Sequence, residues 1–284
     1  MSPFSPQLKG IALVILSASS FACVDGISKL LTETQPVAQI VWARYALALP
    51  ALLLLSGPKR WPTLFHTGQL RFQILRGLTP LTISVTMVLA VHFLPLAEAT
   101  VILFMAPFLV VALSGIMLGE PVRPISWVGV AIGFAAVLVV TRPGLGGFSA
   151  YVAFPLVAAV FYALMQLLTR RLGAAGEMAD TTLAWTLAVG TIVATPVAFF
   201  LWPETSLKAW LLLVTLGTVF GAAQFLMIRA YTLASAGVLA PFSYAQIVAA
   251  VVFGAIVFAD LPDLWSFVGI AMIIFAGLLV VRRG

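Results

Sequence analysis

The sequence predicts an all-α polytopic membrane protein in which ten transmembrane helices form two five-helix inverted repeats around a central cavity. Three observations predict it. First, 62% of the residues are hydrophobic and 8% are charged, whereas an average soluble domain carries about 25% charged residues. Second, proline, glycine and charge divide the chain into ten apolar runs. Third, two neighbouring runs and the break between them recur later in the chain.

Composition also limits the partners and the chemistry. A soluble fold of 284 residues could not hide this much apolar surface, so lipid must be the solvent. The net charge of +6 is spread along the chain, without the clustered basic face that nucleic acid needs. With two histidines, one cysteine and no nucleophile, metal or phosphate-loop motif, the sequence predicts neither an enzyme nor a cofactor or bound metal.

The apolar runs are long enough to cross a bilayer as helices. A transmembrane helix needs roughly 20 apolar residues, or fewer where other helices shield it from lipid. The expected limits are 9–31, 36–56, 72–92, 96–118, 124–141, 149–170, 181–202, 208–230, 236–259 and 264–281. The longest connection, 57–71, carries Trp61, Phe65 and basic residues, which predicts a helix lying at the headgroup level.

The repeat relates residues 94–140 to residues 234–280 at a fixed offset of 140. Matched pairs are Val128 and Val268, Gly129 and Gly269, Ala131 and Ala271, Ala136 and Ala276, Leu138 and Leu278, and Val140 and Val280. The acidic residues that end two of the spans, Glu120 and Asp260, correspond as well. The chain is therefore interpreted as two repeats, 1–143 (spans one to five) and 144–284 (spans six to ten), which form one membrane domain.

Basic residues predict that both termini are cytoplasmic. On that assumption eleven lie at inside ends and loops: Lys9, Lys59, Arg60, Arg71, Arg76, Arg123, Arg170, Arg171, Arg229, Arg282 and Arg283. Three lie outside: Lys29, Arg142 and Lys208. Positive residues favour the cytoplasmic side. Because each repeat has five spans, the second repeat must enter the membrane inverted, an arrangement frequent in secondary transporters.

Four sequence features carry a family resemblance: WARYALALP around Arg44, PLAEATVILFMAPF at the opening of span four, LGE at its end, and WVGVAIGFAAVLVV in span five. With these the chain resembles the drug/metabolite transporter superfamily, of the ten-helix type with two EamA-like repeats, and is similar to bacterial exporters of amino acids and related metabolites. The resemblance implies a bacterial cytoplasmic membrane, peripheral spans five and ten, and a cavity among the others.

Two charged residues lie inside spans one and two. Asp25 precedes the turn near Thr34 by nine residues and Arg44 follows it by ten, so both lie about 14 Å below that turn at 1.5 Å per residue. We expect an ion pair, with Lys29 as the competing partner of Asp25 at helical i+4 spacing. The pair is either structural, or a gate or proton-sensing carboxylate.

The candidate cavity residues are polar or aromatic side chains within apolar spans. They are Ser17, Phe21, Thr79, Thr82, Thr86, Phe104, Phe161, Tyr162, Gln166, Gln224, Tyr244 and Gln246. The threonines share one helical stripe, although each hydroxyl could instead bond the carbonyl one turn back. The glutamine amides need partners or water inside a membrane. The aromatic rings could equally face lipid or pack in the core.

These residues favour a secondary transporter that exports small amphipathic metabolites, including aromatic and other large apolar amino acids, by alternating access. Rings supply apolar contact and amides orient polar ends of such a substrate. The alternatives are efflux of drugs or of metabolites such as nucleosides and, in a different class, an intramembrane enzyme. If Asp25 is paired it is a poor proton carrier, which favours facilitated transport. The internal repeat would let one chain act as a monomer.

Overall fold

A computed structural model describes residues 6–118, 124–141, 149–233 and 239–283. Within these residues the protein is helical, and it contains no strand. The α-helices are α1 (Pro6–Leu31), α2 (Val37–Ala46), α3 (Ala48–Ser56), α4 (Trp61–Leu64), α5 (Leu70–Phe93), α6 (Leu96–Leu103), α7 (Ala106–Leu118), α8 (Pro124–Thr141), α9 (Ala153–Ala174), α10 (Ala179–Phe200), α11 (Leu207–Leu233), α12 (Ala245–Phe258) and α13 (Leu264–Arg283). Short 3₁₀ turns, Pro58–Arg60, Ala150–Val152 and Ala240–Tyr244, precede α4, α9 and α12.

Six segments of the described chain are long and apolar enough to cross a membrane. They are Gln7–Leu31, Val37–Leu54, Leu70–Phe93, Ala150–Ala174, Ala179–Phe200 and Leu207–Met227. Four shorter apolar helices accompany them: Leu96–Val110, Trp127–Thr141, Phe242–Phe258 and Leu264–Ala276. The protein is therefore a polytopic helical membrane protein, and each of these ten segments overlaps one of the predicted spans.

Predicted spans two and four are each interrupted, and a proline explains both of these interruptions. Span two divides at Leu47, between α2 and α3, and span four divides between α6 and α7. Pro50 and Pro107 each follow a break by a few residues. A proline lacks the N–H that would bond the carbonyl four residues earlier, and its ring crowds that carbonyl. Pro80 and Pro196, by contrast, lie within continuous helices.

Helices from the two halves of the chain pack against one another. In the described residues α1 packs against α11 and α12, α5 against α9 and α10, and α2 against α10 and α11. Helices α8 and α13, which carry the matched sequence, also pack together. A Cβ on Gly269 would lie 2.2 Å from a methyl of Val140, so this glycine permits the close approach.

Side-chain contacts identify the two ends of the bundle. On the side where α1 begins, here the first side, Arg60 pairs with Asp180 at 3.1 Å. On the opposite side, here the second side, Gln39 bonds Thr205 across 3.0 Å. The ring of Phe93 stacks on Tyr151 on this side as well, with 3.9 Å between centroids. Each end is therefore held by contacts between the two halves.

The segment 57–71 forms less helix than the sequence predicts. It contains the Pro58–Arg60 turn and the single turn α4, and Trp61 is 43% exposed. Gly119 and Glu120 of the expected LGE ending, with Arg123 and Arg142, lie outside the described residues, as do residues 236–238 of span nine.

Candidate functional site

The predicted pair of Asp25 and Arg44 is present. Arg44 Nη2 lies 2.9 Å from Asp25 Oδ1, and it also donates to Ser28 Oγ at 2.7 Å. The two charged side chains are only 5% and 8% exposed. Since both helices belong to the first half of the chain, this pair, here the inner pair, fixes the α1–α2 hairpin.

Lys29 does not compete for Asp25. Its ammonium lies 2.7 Å from Asp260 Oδ2 and 4.7 Å from the centroid of the Phe258 ring. Ala259 ends α12 in the left-handed conformation, with φ of 54°, and the Asp260 N–H donates to the carbonyl of Gly254. This turn directs Asp260 towards α1. The contact, here the interface pair, joins the two halves on the second side.

The hydroxyls predicted to line a cavity donate hydrogen bonds to backbone carbonyls. Thr79, Thr82 and Thr86 donate to the carbonyls of Arg76, Leu78 and Thr82 respectively, at 2.8–3.1 Å. Each threonine thus makes the local bond that sequence reasoning held as the alternative. Ser17 is fully buried and donates to the carbonyl of Ala223 on α11 at 2.7 Å. Ser17 therefore ties α1 to α11.

The three candidate amides have no such partners. Gln166 on α9, Gln224 on α11 and Gln246 on α12 are half-buried. No side-chain hydrogen bond is formed by any of them within the described residues. An amide carries two donors and a carbonyl acceptor, and lipid satisfies none of these. These groups must therefore reach water or a polar ligand.

The candidate aromatic residues divide between packing and partial exposure. Tyr244 is buried, and its ring centroid lies 5.4 Å from that of Phe104, which is also buried. Phe21 is half-buried and meets Phe220 edge-on at 6.1 Å. Tyr162 and Phe161 are both half-buried on α9. Tyr162 packs where α1, α5, α6, α9 and α12 meet.

Arg76 was predicted to lie at the inside end of span three, and it lies six residues inside α5. Its Nε donates to Thr169 Oγ1 on α9 at 3.2 Å, and its Nη1 donates to Thr186 Oγ1 on α10. Sequence alone offered one signal, the position of this charge between two apolar stretches. Its partners lie about a hundred residues away and could not be read from the sequence.

Glu177 connects the halves on the first side. Its carboxylate accepts hydrogen bonds from the N–H of Gly68 and from Gln73 Nε2, both at 3.0 Å. Desolvation by burial raises the pKa of Glu177. Hydrogen bonds from Thr67, Gln73, Gly68 and Gln69 outweigh that effect and hold the pKa below its usual value. The connection 57–71 is therefore attached to the α9–α10 loop.

Among the described residues, no group of three histidine, cysteine or acidic side chains is arranged to hold a metal ion.

The protein is a helical bundle that crosses the membrane several times. Partly exposed amides lie on helices of its second half, with tyrosines beside them. This combination is typical of a polytopic transporter of small molecules. The model of the EamA-like transporter family matches residues 8–142 and again residues 149–282. The chain therefore belongs to the EamA-like transporter family, within the drug/metabolite transporter superfamily. It is a transporter and not an enzyme.

Relatives with different substrates align with most of the chain. The chain is 28% identical over 270 residues to the pseudopaline exporter CntI of Pseudomonas aeruginosa, covering 94% of each protein. It is 24% identical to the S-adenosylmethionine uptake transporter of Rickettsia felis, covering 96% of this chain and 92% of that protein. A riboflavin transporter of Brucella anthropi is 26% identical over 204 residues, 68% of this chain and 70% of that protein.

The fold also matches a solved structure, described as "Crystal structure of protein". The TM-score is 0.68 at 19% identity, and the alignment covers 98% of each chain. At this identity the likeness concerns the fold alone.

Proposed function

We propose that this protein is a secondary transporter that exports small amphipathic metabolites, including aromatic and other large apolar amino acids, through a central cavity. The observation that carries the proposal is a set of three amides, Gln166, Gln224 and Gln246, on three different apolar helices, which have no side-chain hydrogen bond within the described residues. Amides in such positions are stable only beside water or a polar ligand. Tyr162 and Tyr244 add ring surface for the apolar part of a substrate.

The proposed architecture is ten transmembrane helices in two inverted repeats, 1–143 and 144–284. Its support is the symmetry of the packing between halves. Helix α1 contacts α11 as α5 contacts α9, which pairs span one with span eight and span three with span six. If a two-fold rotation exchanges the two repeats, span one takes the place of span six and span three that of span eight, so each of these contacts is mapped onto the other. Likewise α8 contacts α13, pairing the fifth span of each repeat with its equivalent.

The proposed location is a bacterial cytoplasmic membrane with both termini inside. The relatives are bacterial, and basic residues are concentrated on the first side. Arg60 and Arg171 lie exposed there, beside the connections 57–71 and 175–178. That side would face the cytoplasm because positive residues favour it. One chain would suffice for transport, since it holds both repeats.

The proposed driving force is the substrate gradient. Asp25 is the carboxylate well inside a span, and Arg44 holds it in the inner pair. A carboxylate that must stay charged to balance a buried guanidinium is poorly suited to carry protons. Transport would therefore be facilitated, with the outward direction set by metabolite accumulation in the cell.

The test is flux in liposomes. Purified protein is reconstituted, and efflux of a panel of radiolabelled amino acids is measured with and without a proton gradient. We expect saturable flux of a few large apolar amino acids that does not depend on the gradient. Gln224→Ala and Tyr244→Ala should reduce it at least tenfold, whereas Gln69→Ala, outside the cavity, should not.

Other outcomes would revise the proposal. Gradient-driven accumulation would show coupling and return Asp25 to consideration as the coupling group. Flux of riboflavin, nucleosides or cationic drugs in the absence of amino-acid flux would contradict the substrate class. The riboflavin and S-adenosylmethionine relatives make that second panel worth including.

A further inference from the structure

Arg76 is a charge inside an apolar helix, and it has no acidic partner among the described residues. It lies about 9 Å along α5 from the helix start, at 1.5 Å per residue. Its two hydrogen-bond acceptors are neutral hydroxyls, those of Thr169 and Thr186. The ion pairs of the described residues do not include Arg76. A guanidinium within a membrane normally pairs with a carboxylate or faces a water-filled space.

The guanidinium also keeps donors for a ligand. Nε and Nη1 are used, whereas Nη2 makes no hydrogen bond within the described chain, and the Arg76 side chain as a whole is half-buried. Thr169 and Thr186 hold the group from α9 and α10, so its plane is oriented before any ligand arrives. A planar guanidinium with free N–H groups matches the geometry of a carboxylate.

Helical spacing places Arg76 beside the candidate cavity. On α9, Tyr162, Gln166 and the Arg76 partner Thr169 follow at spacings of four and three, so they share one face. On α5, Arg76 and Thr79 are three residues apart and share a face in the same way.

We infer that Arg76 receives the carboxylate of the transported substrate, on the first side of the cavity. The inference rests on the proposed function, because it assumes the cavity among the amides and adds the substrate group that binds there. Arg76 supplies the charge, Thr169 and Thr186 orient it, and Gln166 and Tyr162 lie one to two turns further along α9 for the rest of the ligand. Substrates with a free carboxylate are then preferred over their amides.

The test compares each acid with the amide in which the carboxylate is replaced by an uncharged carboxamide. Binding to wild-type protein in maltoside micelles is measured for phenylalanine and phenylalaninamide, and separately for benzoate and benzamide. The variants are Arg76→Gln, Arg76→Lys and, as a matched control on the same helix, Arg71→Gln, since Arg71 is exposed. Thermal unfolding of each variant without ligand shows whether it is folded.

Wild type should bind each acid at least tenfold more tightly than its amide. Arg76→Gln should lose at least tenfold for the acids and less than twofold for the amides. Arg76→Lys should keep part of the preference, because the charge remains without the planar fork. Arg71→Gln should match wild type.

Three results would overturn the inference. In the first, wild type binds acid and amide equally. In the second, Arg76→Gln weakens both ligands equally, which makes Arg76 a residue of helix packing. In the third, titrated anionic phospholipid stabilises wild type but not Arg76→Gln, while ligand preference is unchanged, which assigns Arg76 to a lipid phosphate. Discrimination of benzoate without binding of phenylalanine would keep the inference and contradict the amino-acid substrate.

Discussion

The two ion pairs of α1 lie one helical turn apart and have different environments. The inner pair, Asp25 with Arg44, is 8% and 5% exposed and joins two helices of the first half. The interface pair, Lys29 with Asp260, is 17% and 39% exposed and joins the halves. Opening the inner pair would strand a charge in an apolar interior, whereas water can replace either partner of the interface pair. The inner pair is thus suited to a permanent contact, and the interface pair to one that breaks during transport.

The largest effect should come from Arg44→Leu with Asp25 retained. The variant leaves a buried carboxylate without a counter-ion, which costs about 3–5 kcal/mol. We expect most of the folded protein to be lost, as measured by the yield of monodisperse protein in detergent. The double variant Asp25→Leu/Arg44→Leu should recover much of that yield, since it removes both charges. Normal folding and transport in Arg44→Leu would contradict both a structural and a gating role.

The inner pair was predictable and the interface pair was not, for a physical reason. Asp25 and Arg44 are joined by one tight hairpin, so helical rise alone gives their relative depth. Lys29 and Asp260 are separated by 231 residues. Their meeting depends on how two halves pack, and apolar periodicity does not encode that. The left-handed Ala259 that positions Asp260 gives no sequence signal, since glycine is the usual residue there.

The same contrast applies to the rest of the molecule. Apolar runs and their punctuation predicted the helices, and the breaks before Pro50 and Pro107 follow from local backbone chemistry. The roles of individual polar residues depend on their tertiary neighbours. The Ser17 hydroxyl donates to a carbonyl of α11, whereas the Gln224 amide has no partner in the described part of the chain, although both are polar residues within apolar helices.

The Gly26→Ala variant tests how packing at the interface of α1 and α12 contributes to stability, because it changes no charge. A Cβ at this position would lie 2.2 Å from the Phe253 ring, so the ring must move. Overpacking of this kind costs about 1–3 kcal/mol. We expect a lower melting temperature with the inner pair intact. Gly173→Ala is the matched control, because nothing lies within 4 Å of its added Cβ. Equal melting temperatures for both variants would show that the interface is loosely packed.

Lys29→Gln should have a smaller effect on stability, because a partly exposed ion pair contributes about 1 kcal/mol or less. Its effect on transport should be clear, since the second side would open more readily and the rate of flux would change. The swap Lys29→Asp/Asp260→Lys should restore wild-type flux. Unchanged flux in Lys29→Gln would remove the interface pair from the transport cycle.

The smallest effect should appear at Glu177, on the first side. Because its folded pKa is lowered, its charge stabilises the fold above the ordinary glutamate pKa of about 4.3, and this contribution is lost as the pH falls through the folded value. Glu177→Gln should lower the melting temperature at pH 7 by about 1–2 °C, since the group is well solvated. The difference from wild type should shrink below about pH 4.3. A melting-temperature difference that grows on acidification would contradict the lowered pKa of Glu177.

If the interface pair opens during transport while the inner pair stays closed, holding the interface pair together must stop transport. The most direct measurement is substrate flux in liposomes by Lys29→Cys/Asp260→Cys in a Cys23→Ser background, before and after treatment with a short reducible bis-thiosulfonate cross-linker. We predict that cross-linking stops flux and that reduction restores it. Undiminished flux through fully cross-linked protein would contradict opening of the interface pair, because the two halves would then transport without separating at this contact.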